Sequence, residues 1–120
     1  MLGRILAGLG AISVLGIGAS ALARPRQSTS TYGIPSDDDN TLAYVRAVAA
    51  RDLVMGAFIL WAATANDRKA MEFGLAASVM APAADLILAR QRRGNIPQLL
   101  IHGAGIIGVC ATWALLRAGK

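Results

Sequence analysis

"IHGAGIIGVC", residues 101–110, carries Gly103-x-Gly105-x-x-Gly108 directly after Leu99, Leu100 and Ile101. An apolar strand that runs into such glycines and then into a helix spells a dinucleotide-binding turn, so this stretch decides between an α/β fold and something else. Its position argues against the cofactor. A dinucleotide fold needs a βαβ unit of about 30 residues, with an acidic residue roughly 20 positions further on to hold the ribose. Only twelve residues follow Gly108, "VCATWALLRAGK", and none is Asp or Glu. No cofactor is expected. Ala104, Gly108 and Thr112 lie four apart on one helical face instead, a small-residue stripe that lets a neighbouring backbone come close in a membrane.

Composition points the same way. Of 120 residues, 55% are hydrophobic and only 5% aromatic, and the mean hydropathy is +0.50. A soluble domain this small needs charge over its whole surface. Here the twelve Lys and Arg and seven Asp and Glu mostly sit between apolar runs, the pattern of a membrane protein. The net charge of +5 is therefore read as loop charge rather than as a nucleic-acid surface. Cys110 is the single cysteine, which excludes an intramolecular disulfide.

Four runs follow: Ile5–Ala23, Leu42–Ala65, Ala70–Ala89 and Ile96–Ala118. Each nearly matches or exceeds what is needed to cross a ~30 Å hydrocarbon core at 1.5 Å per residue. The expected fold is all-α, a single four-transmembrane-helix up-down bundle over residues 1–120. A long loop, residues 24–41, joins the first two helices, and "NDRK" and "RQRRGN" make tight turns. Asp39 or Asn40 is expected to cap the second helix, and Asn95 with Pro97 to start the fourth. Arg4, the apolar stretch and "ALA" at 21–23 also resemble a signal peptide. The run exceeds the usual h-region, and small residues four apart (Ala7 with Ala11, Gly16 with Ser20) favour a retained packing helix. Basic residues outside the spans divide five to five between the two sides, so the positive-inside rule gives no orientation. Trp61 and Trp113 fall at the terminal end of the bundle, as in an interfacial aromatic belt.

Ionisable residues inside the runs are the candidates for function. The second run carries Arg46, Arg51 and Asp52, the third Glu72 and Asp85, and the fourth His102. Counting along each helix places all except Glu72 in the same half of the bilayer. A charge at a helix centre costs ~2.5–3.5 kcal/mol on insertion scales, so these groups are expected to face inward and pair, Arg51 with Asp85 or Arg46 with Asp52. Arg51 and Asp52 point about 100° apart and are not expected to share a partner. Pro82, three residues before Asp85, frees a carbonyl and is expected to kink the third helix. No metal-ligand spacing, Walker sequence or nucleophile elbow is present; "DDDN" reads as a solvated helix cap rather than a calcium loop.

From "YGIP" (32–35) to its end the chain resembles small four-helix integral membrane proteins of the DoxX-like group, in particular a bacterial and fungal family of unknown function. The resemblance rests on that segment, "ARDLVMG" (50–56), "APAADLILAR" (81–90) and His102. Tyr32 stands where that family most often shows Phe. The resemblance implies a four-helix membrane fold and directs attention to Arg51, Asp52, Asp85 and His102; it implies no reaction.

Three functions are compatible with these residues. The first is an intramembrane site that binds or transforms a lipophilic small molecule, by hydrolysis or isomerisation for example. There Arg51 would hold an anion or oxyanion, Asp52 and Asp85 would share acid and base roles, and His102 would shuttle protons, with Arg46 and Tyr44 contacting the ligand. The second is an assembly subunit, forming a homo-oligomer or joining a membrane complex through the small-residue faces. The third is a proton-coupled transporter with the same groups as its relay. A purely structural ion-pair network that fixes helix register would draw on the same residues.

Overall fold

The structure, a computed structural model, describes residues 1–31, 34–91 and 96–119. The order is α1 (Leu2–Ala23), α2 (Pro25–Thr31), α3 (Asp39–Thr64), α4 (Arg68–Ser78), α5 (Met80–Gln91) and α6 (Ile96–Ala118). There is no strand among the described residues. Four helices are long and apolar enough to cross a membrane: Leu2–Ala23, Asp39–Thr64, the α4–α5 stretch Arg68–Leu88, and Leu99–Ala118. Large apolar side chains cover the outside. Val54, Phe73, Met80 and Ile107 are each at least 70% exposed, which a lipid-facing surface accommodates and a water-facing one does not. By length and composition this is a multi-pass membrane protein.

The helix ends follow local chemistry. Asp38, not Asp39 or Asn40, caps α3: its carboxylate accepts the Thr41 backbone N–H at 2.9 Å and the Thr41 hydroxyl at 3.1 Å. Asp39 instead sits in the first turn, where its charge suits the helix dipole. At the other end of α3, Asn66 takes a positive φ of 55°, which Asn tolerates better than most side chains. With Asn66 in that conformation, the Asn66 and Asp67 N–H groups reach back to the Ala63 and Ala62 carbonyls. Asp67 then caps α4 through the Ala70 N–H at 3.0 Å. Asn95, the expected cap of the fourth span, and Tyr32 of "YGIP" lie outside the described residues.

One segment departs from the sequence reading, and the expected kink at Pro82 is a full break. The expected 24–41 loop contains α2. Pro25 opens it with φ already helical, and the Ser28, Thr29 and Ser30 hydroxyls donate to carbonyls three or four residues back. Thr29 is 1% exposed and also accepts the Ser36 N–H, pinning the connection to the helix. The third span is divided at Val79 into α4 and α5. Pro82 has no N–H to offer the Ser78 carbonyl, which is where the continuous helix fails.

Close packing rests on small residues. A Cβ on Gly3 would come within 2.7 Å of the Leu116 backbone, one on Gly18 within 3.0 Å of the Ala49 carbonyl, and one on Gly56 within 2.8 Å of Leu15. α1 thus lies against α3 along its length and meets α6 near the chain termini. Two core clusters result. One, at the terminal end, joins Ala7, Ala11, Ile59, Ala62, Met71 and Leu116 from α1, α3, α4 and α6. The other, toward the start of α3, holds only Ala21, Val45 and Ala49 of α1 and α3, with Ile34 against it. α6 contributes to the first and not to the second.

The stripe on the fourth span behaves otherwise than expected. A Cβ on Gly108 would meet nothing within 4 Å, and Ala104 and Gly108 are exposed. Within this chain the stripe approaches no backbone. Gly16 on α1 likewise has open space around it, whereas Ala7 and Ala11 are buried as expected of a packing face.

Candidate functional site

α3 presents Arg51 and Asp52 in mid-helix, and the Val79 break sets α5 so that Asp85 faces them. The Arg51 Nε and Nη2 donate to Asp52 Oδ1 at 3.0 and 2.9 Å, and Nη2 also reaches Asp85 Oδ2 at 3.5 Å. One guanidinium therefore serves two carboxylates. Among the described residues Arg51 and Asp52 share no third partner, as expected, but they pair with each other, because the long arginine stem lets its head fold back over its neighbour. The two aspartate side chains are only 14% and 18% exposed, against 36% for Arg51, so the carboxylates are the more deeply placed partners.

The ion pairs open into a cavity of about 890 Å³ between α1, α3, the α4–α5 hinge and α6. Arg51, Asp52, Asp85 and His102 all line it. His102 is half-buried and makes no hydrogen bond among the described residues. Most of the remaining wall is apolar, with Leu6, Ile17, Met55 and Ile101 among its side chains. Three of its hydroxyls are turned away: Ser13, Ser78 and Thr112 donate to the Leu9, Leu75 and Gly108 carbonyls of their own helices. Ala104, Gly108, Gly16 and Ser20 also line this space, so the small residues that read as packing faces shape a cavity wall.

Other candidates are placed elsewhere. Arg46 is exposed, makes no ion pair among the described residues and does not line the cavity; the Arg46–Asp52 pair is not formed. Tyr44 is 54% exposed and also lies outside it. Glu72 belongs to a separate group at the terminal end. It accepts from Arg68 at 2.8 Å and pairs with Arg117 at 3.4 Å, while Arg117 stacks 4.6 Å from the Trp113 ring centroid. This second group ties α4 to α6 and does not touch the cavity.

Chemically, the cluster offers two carboxylates on one cation, with the His102 imidazole and an apolar chamber adjoining. Such a set can bind a polar head and exchange protons with it. Sequence reasoning missed the part played by Ser78 and Met55 as wall, and no pattern marks them, because a cavity wall and a helix contact draw on the same residue types.

Comparison with known proteins bears on the family alone. The family described as Domain of unknown function (DUF4267) matches residues 11–117, and the chain belongs to it. No curated protein matches the chain. No solved structure does either.

Proposed function

We propose that this DUF4267 member holds a lipophilic small molecule inside the membrane, its polar end at Arg51, Asp52, Asp85 and His102 and its apolar body in the adjoining cavity. The observation that carries this reading is the coincidence of an apolar cavity of about 890 Å³ with the charged cluster at its wall. That volume falls within the range of roughly 300–1,000 Å³ typical of small-molecule sites, which are also mostly apolar with a few convergent polar groups. A network that served only helix register would be expected to pack closed. We further read the kinship as extending to the wider DoxX-like group, on the shared four-span architecture and the motifs around Arg51 and Asp85.

The test is the thermal stability of purified protein in detergent, with and without an extract of membrane lipids, for the wild type and for Asp85→Asn and His102→Ala. Specific stabilisation of the wild type, lost in variants that remain folded, supports the reading. Mass spectrometry of the retained species then gives the ligand class. No stabilisation of the wild type by any fraction, with every variant melting much earlier, assigns the cluster to structure alone.

A further inference from the structure

Resting on that reading, the charge count of the cluster narrows the ligand. One guanidinium faces two carboxylates, so acidic groups outnumber the cation there. Arg51 is already engaged through Nε and Nη2. Each aspartate uses a single oxygen toward it; among the described residues Asp52 Oδ2 and Asp85 Oδ1 receive no hydrogen bond. Carboxylate oxygens left without donors in apolar surroundings are costly, and an added anion would deepen the imbalance. Three hydroxyls of the surrounding wall, on Ser13, Ser78 and Thr112, donate to carbonyls of their own helices instead.

We infer that the cavity selects an amphiphile whose head donates hydrogen bonds and bears no negative charge, a long-chain amine or alcohol, and rejects the corresponding acid. An ammonium head has donors for both open carboxylate oxygens, and a hydroxyl head has a donor for one of them. The chain lies along the α1–α6 side of the cavity, over Ile17, Ile101 and Gly108, which line it.

The probes are dodecylamine, dodecanol and dodecanoate at equal concentration, added to the full chain in a non-ionic detergent. Melting temperature is read for the wild type, Gly108→Leu and Asp85→Asn. Gly108 lines the cavity with open space beyond it, so leucine there obstructs the stretch assigned to the chain. It separates occupancy from general detergent effects. The amine and the alcohol should raise the wild-type melting temperature by about 5 °C or more near saturation. Dodecanoate should not, and the gain should vanish in Gly108→Leu. Asp85→Asn should lose more of the amine shift than of the alcohol shift. If dodecanoate stabilises as well as the amine, with the gain still removed by Gly108→Leu, the cavity binds amphiphiles and the charge selection is wrong. If no head group yields a shift that Gly108→Leu removes, both the selection and the cavity as a binding site fall.

Discussion

At the scale of single residues, Arg51 matters most because two carboxylates depend on it. Removing it leaves both aspartates buried without a cation. Loss of one partner from a buried ion group typically costs ~3–5 kcal/mol, whereas replacing the whole group by neutral residues costs far less. Arg51→Met is therefore expected to destabilise by about 3 kcal/mol, the low end because Arg51 is 36% exposed. The triple change Arg51→Met, Asp52→Asn, Asp85→Asn should recover most of that loss in a detergent unfolding titration. A triple variant no more stable than the single one would show that the pairs are not what holds these residues. Arg46→Gln and Tyr44→Phe should leave stability and ligand response unchanged. The site was partly legible beforehand: counting depth along the spans put Arg51, Asp52, Asp85 and His102 at a common level, and the cavity gathers those four. Depth alone could not separate Arg46. Its five-residue offset from Arg51 turns it about 140° around the helix axis, and that rotation, not its depth, sends it outward.

At the scale of helices, hydropathy made four spans legible, and the end of α1 and both ends of α6 agree with the apolar runs. What hydropathy could not show is where a helix stops being one piece, since α4 and α5 read as a single apolar stretch. Nor could it show which small residues meet a backbone. Gly3 and Gly56 do, and Gly108 does not, though all three lie within long apolar helices. Valine at Gly3 or Gly56 must push α1 off α6 or α3, and overpacking of this kind typically costs ~1–3 kcal/mol. Gly108→Ala should cost nothing and gain up to about 0.5–1 kcal/mol from helix propensity, since the new methyl meets nothing. Equal losses at all three positions, measured by unfolding in detergent, would mean that α6 packs more tightly than its surroundings indicate. The hinge has its own consequence. Pro82→Ala returns an N–H to the Ser78 carbonyl and should join α4 to α5. The chain should melt no earlier than the wild type, yet the straightened helix should carry Asp85 away from Arg51. The amphiphile-induced shift should fall while stability is kept, a combination that a merely damaged protein would not show.

At the scale of the whole molecule, α1 is common to everything. It supplies Ala7 and Ala11 to the core at the terminal end and Ala21 to the one at the start of α3, and one wall of the cavity. Arg4 on α1 donates to Asn66 Oδ1 at 2.8 Å, and Arg68 donates to the Arg117 carbonyl at 3.1 Å. These bonds gather the N-terminal end of α1, the α3–α4 turn and the C-terminal end of α6 at one face of the bundle. In a Cys110→Ser background, membrane-impermeant thiol labelling should find Leu2→Cys and Lys69→Cys on one side and Ser36→Cys on the other. The same geometry decides what a cleaved first segment would do. Without residues 1–23, the Gly18–Ala49 and Gly56–Leu15 approaches vanish, and the buried face of α3 that carries Val45, Ala49 and Ile59 loses its cover. Leu116 of α6 loses Gly3 as its neighbour. A chain lacking residues 1–23 is therefore expected to lose its cooperative melting transition, and intact mass of the purified full chain should still include them. Should the shortened chain melt at the wild-type temperature, α1 would not be the helix around which the others assemble. The cavity between α1 and α6 would then have lost a wall, and with it the argument for a bound amphiphile.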